Sequence, residues 1–541
     1  MKKINTVLPL ILFAVILAFA AYPRFVNLTN QGMEGCDTFQ YWILGQKWAE
    51  GNFTLNDGFG GPCFRPVAFA LHAIAMRLFG FNDYAIKILH ASMDMLSIGL
   101  VFAIGALIAR NLWVGVSSGV MYAFLPKIIS SSREELLHTP STTFLLLCIL
   151  FYVVFDTVYK RRRLAGCLFL VLSGVCLSCT ALVHPELAIL GPAFVFIIFL
   201  SVFSTDKKLI TFGQFVLYAF VFTLSYSSLY LVSIWVMGFE KVKYLTVGIA
   251  GEISKGETIP LELTVTFLTR GIAELTSKTM ECLFLGTLPL MIILRTKGQE
   301  RTVTAYLPWI CWVGYGLLFE VLIGSELGKL FRVLIPLLPL VGIGIACWYT
   351  RALEAVLWNK WMANIVVLLG CVLLAWHNFS PYRRTLARDR AGVQTRFRAV
   401  YDVLKDRIDG KSKLLVTPYL EYAYRRAFQQ GMYFGNKAVY IIDCPPSVSL
   451  DDVVREDKIK YIYVGKQGLD RRFLKKKRFH QHDIDDPVKW RGAELVLGGC
   501  YGMNNQTYSL EKEYAFLAEF IGSKGAKTLW STADGTLYEL P

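Results

Sequence analysis

Apolar residues in this chain of 541 residues fall into blocks that short polar and charged stretches interrupt. Most blocks are long enough to cross a bilayer as a helix, which takes about 20 residues. The blocks that we predict as spans are 7–22, 84–109, 112–129, 140–158, 164–183, 187–203, 212–237, 282–294, 303–323, 330–349 and 361–376. The pattern predicts a polytopic α-helical membrane protein with about 11 transmembrane helices.

Basic residues cluster at the ends of these blocks, at 2–3, 160–163, 207–208 and 295–301. Basic loops stay in the cytoplasm, so we predict an integral, multi-pass protein of the cell (inner) membrane with a cytoplasmic N-terminus. The loop 23–83 and the tail then lie outside. Block 282–294 is short for a span, and without it the tail would lie in the cytoplasm. The net charge of +15 is explained by these basic clusters, which orient the protein in the membrane. No nucleic-acid-binding signature accompanies the charge.

The pattern changes in the tail, where the long apolar blocks end. Short β-branched and aromatic runs at 413–417, 438–442 and 459–464 alternate with helical stretches such as 395–407. This alternation is typical of a small α/β domain with a partly parallel sheet, and 528–540 predicts a hairpin around Asp534-Gly535. We therefore predict a membrane domain, residues 1–380 with the outer loop 23–83, and an extracytoplasmic α/β domain, residues 388–541.

Four cysteines fall in segments that we predict to lie outside the membrane. They are Cys36 and Cys63 in the first outer loop, and Cys444 and Cys500 in the tail. If these segments face an oxidising compartment, each pair is a candidate disulfide. The sequence leaves both pairings open.

An acidic and aromatic stretch opens the first outer loop. Asp37 and Glu34 are three residues apart, so on a helix or a tight turn they share a face, and Tyr41 lies one turn further on. A carboxylate at a membrane surface can deprotonate a hydroxyl or hold a cation that bridges phosphate oxygens. A solvated loop carboxylate is the alternative interpretation.

Further polar residues stand at the predicted outer ends of later spans. Glu134 and His138 are four residues apart and would align on one helix face, and Glu135 lies beside them. With Asp37 and Glu34 these carboxylates would suit a hard divalent cation, whereas a charged helix start is the simpler explanation. His184 and Glu186 occupy the next outer turn, where they either face a cavity or cap the turn.

Ionisable residues also occur inside or beside the spans. His90 and Asp94 are one helical turn apart in the second span, where such groups are functional candidates unless they bond each other. Glu326, Lys329 and Arg332 flank the outer start of another span. Cations at that depth suit the phosphate of a lipid carrier, or else contact the headgroups of membrane lipids.

Several of these residues fit a known pattern. The first outer loop contains, in order, Asp37, Tyr41-Trp42, Gly51, Arg65-Pro66 and Arg77-Leu78-Phe79-Gly80. This series resembles the first outer loop of the C-type (GT-C) membrane glycosyltransferases, in the branch of the protein O-mannosyltransferases and the lipid A aminoarabinose transferase. Ser132-Arg133-Glu134 and Phe331-Arg332 through Pro339 resemble two further patches of the same family.

The resemblance implies a polyprenyl-phosphate-linked sugar donor, attack by an acceptor, and inversion at the anomeric carbon. Asp37 stands where the family has its catalytic acidic residue, acting as the base. Arg332 resembles the family's arginine near the lipid phosphate, and we add Lys329 and Arg65 to this donor-phosphate site. Many members place a second acidic residue directly after the first, but here that residue is Thr38, which puts a two-carboxylate or metal-dependent scheme in doubt.

The sequence therefore predicts an inverting glycosyltransferase, either a hexosyl- or a pentosyltransferase. Its partners would be the lipid-linked sugar, membrane lipids and an unidentified protein, lipid or glycan acceptor. No cofactor is certain, and a divalent cation held by Asp37 and Glu134 stays open. The alternatives are a transporter or flippase of lipid-linked saccharides, for which internal repeats would be expected, and a non-catalytic envelope assembly protein.

Overall fold

The structure is a computed structural model. It describes residues 2–33, 36–55, 64–134, 136–158, 163–200, 212–238, 335–357, 359–379, 383, 386–387, 396–409, 411–416, 433–434, 437–440, 449–465, 510–532 and 535–541. The chain divides into two compact units. The bundle unit comprises Met1–Leu28, Trp48–Ala75 and Ile86–Ala391, and the tail unit comprises Thr29–Lys47, Met76–Ala85 and Gly392–Pro541.

Helices make up the described chain up to residue 379. They are α1 (Lys2–Phe25), α2 (Cys36–Ala49), α3 (Pro66–Phe79), α4 (Ala85–Ala109), α5 (Leu112–Ala123), α6 (Pro126–Ser132), α7 (His138–Val158), α8 (Arg163–Val183), α9 (Leu190–Leu200), α10 (Phe212–Met237), α11 (Leu338–Val356) and α12 (Lys360–Phe379). Short 3₁₀ turns precede α9, at Pro185–Ile189, and α11, at Ile335–Leu337.

Seven helices in the described residues are long and apolar enough to cross a membrane, or eight if α5 and α6 form one broken span. This confirms the predicted polytopic α-helical membrane protein. The helix expected around 67–78 is also present, as α3. The predicted spans at 282–294 and 303–323 lie outside the described residues.

The predicted span at 112–129 is not one straight helix. It is divided into α5 and α6, which are bent by 68° at the break. Pro126 begins α6, and a residue before proline is driven out of the helical conformation. Leu125 accordingly adopts φ −70° and ψ 119°, an extended backbone between the two helices.

Helix α12 has one buried face and one exposed apolar face. Ala363, Val367, Cys371 and Ala375 recur every fourth residue and are buried, so they form one stripe along the helix. The opposite side exposes large apolar residues, which include Trp361, Leu369, Leu373 and Trp376. An apolar surface of this kind suits lipid rather than water.

The tail unit contains a mixed sheet of five described strands. The elements are α13 (Arg396–Leu404), β1 (Lys413–Val416), β2 (Ala438–Tyr440), α14 (Leu450–Glu456), β3 (Ile459–Gly465), α15 (Leu510–Ser523), β4 (Lys527–Ser531) and β5 (Gly535–Glu539). The strand order is β2-β1-β3-β5-β4, with β2, β1 and β3 parallel and the other pairs antiparallel. The predicted partly parallel sheet and terminal hairpin are therefore confirmed.

Side chains on the sheet and on the α15 face form the core of this domain. Leu415 of β1 is paired in register with Ile462 of β3, and both are fully buried. Leu517 and Phe520 of α15 belong to the same apolar cluster. Helix α14 begins at the cap residue Ser449, whose side chain accepts the backbone N–H of Asp452.

Candidate active site

Helix α2 carries Asp37 in its first turn. Tyr41 follows one turn later and is buried, and the next residue, Trp42, is only 2% exposed. The Trp42 indole N–H donates to the backbone carbonyl of Asn82 at 2.8 Å. The aromatic residues after Asp37 are therefore packed inside protein, which holds the start of α2 in a defined place.

Two glycines of the family-like pattern end helices. Gly80 follows α3 with φ +88°, and its N–H donates to the Met76 carbonyl at 2.8 Å. Gly51 follows α2 with φ +90° and donates to Trp48 at 3.1 Å. Only glycine adopts this left-handed conformation readily, so both glycines serve as helix stops.

The expected alignment of Glu134 and His138 on one helix face is wrong. Helix α6 ends at Ser132 and α7 begins at His138, so Glu134 lies in the bend between them. The Glu134 carboxylate accepts the Ser130 hydroxyl at 2.8 Å. The expected spacing assumed a continuous helix, and the chain turns here instead.

Two buried histidines meet near the start of α4. His72 of α3 and His90 of α4 approach at 3.2 Å between their Nε2 atoms, and His90 Nδ1 lies 2.9 Å from the Glu134 carbonyl oxygen. A carbonyl only accepts, so His90 Nδ1 carries the hydrogen. In a neutral His90, Nε2 is then the acceptor, and His72 donates to it. The pair is thus hydrogen-bonded with one defined proton arrangement.

A second histidine pair lies where α7 begins and α8 ends. The rings of His138 and His184 are 5.4 Å apart and tilted by 31°, and both side chains are buried. The Arg65 guanidinium donates to the Val183 carbonyl, at the end of α8, at 3.2 Å. Although His184 occupies the cap position of the 3₁₀ turn, its side chain makes no capping bond. The structure therefore brings three predicted site residues together: Arg65, His138 and His184.

Asp94 has partners that the sequence did not indicate. Its carboxylate accepts Arg24 Nε at 2.5 Å and also the Tyr122 hydroxyl. Arg24 further donates to the carbonyls of Ala20 and Ala123, at 2.9 and 3.0 Å. His90 and Asp94 therefore belong to separate hydrogen-bond networks rather than bonding each other. Arg24 and Tyr122 were missed because one stands beside a predicted loop and the other inside an apolar run.

Arg133 forms hydrogen bonds with the end of helix α1. Its guanidinium donates to the carbonyls of Pro23 and Val26, at 2.7 and 2.8 Å, and the side chain is buried. The last carbonyls of a helix have no partner within that helix. Arg133 supplies donors for the end of α1, and this explains one residue of the family-like Ser132-Arg133-Glu134 patch.

The remaining predicted site residues lie outside the described structure. These are Glu34, Glu135, Glu326, Lys329 and Arg332, together with the side chains of Asp37 and Glu186 and the cysteines Cys63, Cys444 and Cys500. Within the described residues, no group of three or more His, Cys, Asp or Glu side chains could hold a metal ion. Cys176 and Cys179 stand in C-x-x-C spacing on α8, and both are free thiols.

Comparison with family profiles and with curated proteins returned no match. Among solved structures, ArnT from Cupriavidus metallidurans bound to undecaprenyl phosphate is similar over 97% of both chains, with a TM-score of 0.54 and 12% identity. The Archaeoglobus fulgidus oligosaccharyltransferase complex with Zn and sulfate is similar over 83% of this chain and 67% of its own, with a TM-score of 0.46 and 12% identity. The fold is assigned from the first of these likenesses alone.

Proposed function

Because the chain has the fold of the GT-C membrane glycosyltransferases, we propose that it transfers a sugar from a polyprenyl-phosphate-linked donor to an acceptor on the extracytoplasmic face. The observation that carries the proposal is the likeness over 97% of both chains to ArnT, a structure bound to undecaprenyl phosphate. The placement of Asp37 in the first turn of α2 supports it.

The proposed reaction is a single displacement. The acceptor hydroxyl oxygen attacks the anomeric carbon, the bond from that carbon to the phosphate oxygen breaks, and the configuration inverts. Asp37 takes the hydroxyl proton as the attack proceeds, and the polyprenyl phosphate leaves with the bonding electrons. A positioned carboxylate is suited to this proton transfer.

The leaving phosphate needs positive charge. We assign this role to Arg65, Arg332 and Lys329, since cationic hydrogen bonds to phosphate are stronger than neutral ones. Arg65 is half-buried and bonded at the end of α8, so its guanidinium is held in place. His138 and His184 lie beside this point and belong to the same proposed donor-phosphate region.

The test is the Asp37→Asn variant in membrane vesicles supplied with undecaprenyl-phosphate-linked hexoses and pentoses. The readout is released undecaprenyl phosphate, measured by mass spectrometry. Host membranes supply the acceptor, so its identity need not be known for this measurement. We expect Asp37→Asn to lose at least about 100-fold in rate, the lower range for removal of a general base. Glu50→Gln makes the same chemical change at an exposed position just after α2 and should leave the rate unchanged.

Two results would contradict the proposal. A wild-type rate in Asp37→Asn would remove the base mechanism. Movement of intact lipid-linked saccharide across the vesicle membrane, without release of undecaprenyl phosphate, would instead support the transporter or flippase alternative. Both measurements use the full chain in a membrane.

A further inference from the structure

The tail unit contains a buried carboxylate that the reaction does not use. Asp83 lies in the turn between α3 and α4 and is 3% exposed. Its Oδ1 accepts Arg398 Nη1 at 2.9 Å, and its Oδ2 accepts the Tyr433 hydroxyl at 2.7 Å. Both oxygens are therefore bonded to residues more than 300 positions later in the chain.

The two partners of Asp83 are themselves well supported. Arg398, on α13, also donates to Asp402 one turn later at 3.2 Å. The Tyr433 ring packs on Tyr401 of the same helix, with ring centres 5.4 Å apart. Burial, reinforced by the nearby Asp83 carboxylate, raises the pKa of Tyr433 well above its ordinary value, so its hydroxyl stays a donor.

The same turn also contacts helix α2. Asn82, the neighbour of Asp83, accepts the Trp42 indole N–H through its backbone carbonyl. Its side chain donates to the Phe79 carbonyl at 2.7 Å and accepts the Tyr84 N–H at 3.1 Å, so two hydrogen bonds stabilise the turn. Hydrogen bonds therefore run from α13 through the Asp83 turn to Trp42, on the helix that carries Asp37.

We propose that Asp83, Arg398 and Tyr433 form a clamp that fixes α2, so that the part of the tail unit after residue 391 positions the catalytic Asp37. The proposal rests on the function proposed above, and it gives this part of the chain a role in catalysis. Asp83 and Arg398 are positioning residues, because they act on Asp37 through α2. An ion pair with a buried carboxylate suits this task, since removing one partner leaves the other charge buried without compensation.

The experiment compares the variants Asp83→Asn and Arg398→Ala, singly and combined, in the full chain. The first readout is hydrogen–deuterium exchange of the α2 amides. We expect each single variant to speed exchange at least about tenfold, which corresponds to about 1.4 kcal/mol. Because both changes break the same interaction, the double variant should exchange no faster than the faster single variant.

The matched control is Arg455→Ala, which breaks an exposed ion pair with Asp452 in the same domain. We expect it to leave α2 exchange at the wild-type rate. Unchanged α2 exchange in both clamp variants, or an equal increase in the control, would overturn the clamp. If Asp83→Asn does not accumulate, Tyr433→Phe removes one bond and keeps the ion pair, and exchange at the wild-type rate in that variant would count against the clamp.

The second readout separates positioning from binding. We expect the clamp variants to lower kcat while KM for the undecaprenyl-phosphate-linked donor stays constant, with partial recovery in Arg398→Lys. A rise in KM with constant kcat would overturn the positioning role. If the wild-type protein transfers no sugar but the clamp variants still loosen α2, the proposed function fails and the mechanical link stands. The two failures are thus distinguishable.

Discussion

The Asp94→Asn substitution tests the buried ion pair of the bundle unit. Arg24 and Asp94 are 0% and 1% exposed, and their atoms Nε and Oδ2 are 2.5 Å apart. Asparagine keeps the shape of aspartate and an oxygen that can accept the Tyr122 hydroxyl. The substitution therefore removes the negative charge and little else, which leaves the Arg24 guanidinium buried without a counter-charge.

The expected cost is worked between the charge centres of the guanidinium and the carboxylate, which lie further apart than the bonded atoms. Two unit charges about 4 Å apart at an effective dielectric constant of about 20 attract each other by about 4 kcal/mol. Measured losses on breaking one side of a buried pair are about 3–5 kcal/mol, which agrees. Tyr122→Phe removes only one hydrogen bond to a charged acceptor, so we expect a smaller loss of about 1.5–3 kcal/mol.

The assay is heating of the detergent-purified full chain followed by size-exclusion chromatography. The midpoint temperature is the temperature at which half of the protein is lost from the folded peak. At about 2 °C per kcal/mol for a large chain, Asp94→Asn should lower this midpoint temperature by about 8 °C, and Tyr122→Phe should lower it by about half as much. Glu50→Gln makes the same chemical change at an exposed site and should shift the midpoint by less than about 1 °C.

A midpoint for Asp94→Asn equal to that of Glu50→Gln would refute the reasoning. The combined variant Arg24→Met, Asp94→Val and Tyr122→Phe provides a second check. Replacing a buried ion pair by apolar residues of similar size is often neutral or stabilising, so this variant should be more stable than Asp94→Asn. If it is equally unstable, packing rather than the uncompensated charge explains the loss.

Two further substitutions test neighbouring assignments. Arg65→Gln should weaken binding of undecaprenyl phosphate about tenfold or more in a titration of purified protein, because a charged hydrogen bond is lost. An equal loss in Arg110→Gln, at an exposed position just after α4, would contradict a specific role. Arg133→Gln should lower stability by about 2–4 kcal/mol, since the Pro23 and Val26 carbonyls lose charged donors. A midpoint on heating equal to that of Arg110→Gln would refute it.

Much of the secondary structure of the described chain follows from the sequence, although the span predicted at 112–129 is broken and the helix predicted at 330–349 lies at Leu338–Val356. Apolar length alone places α4, α7, α8, α10 and α12 within a few residues, because a lipid-spanning helix must satisfy its backbone internally. Short runs of β-branched and aromatic residues locate the strands, because such residues pack well on a pleated sheet. These are local properties, and the sequence displays them directly.

The partners of polar residues do not follow from the sequence in the same way. Asp94 bonds Arg24, which is 70 residues away, and His90 meets His72, which is 18 residues away. Spacing along one helix left two interpretations open, a functional role for His90 and Asp94 or a hydrogen bond between them. Such contacts depend on how separate helices pack, and a single sequence carries no local signal of that packing.

The burial of Thr38 is relevant to whether the proposed site uses one carboxylate, Asp37, or a second one directly after it. Thr38, the residue after Asp37, is 1% exposed and has interactions of its own. A carboxylate at that position would be buried, and a buried carboxylate needs a compensating charge or several donors. Burial of position 38 therefore disfavours a second carboxylate beside Asp37. If Asp37 is the single proton acceptor, as proposed, its placement depends on α2, and the proposed clamp at Asp83 gains importance. A displacement of about 1 Å can cost about 100-fold in rate.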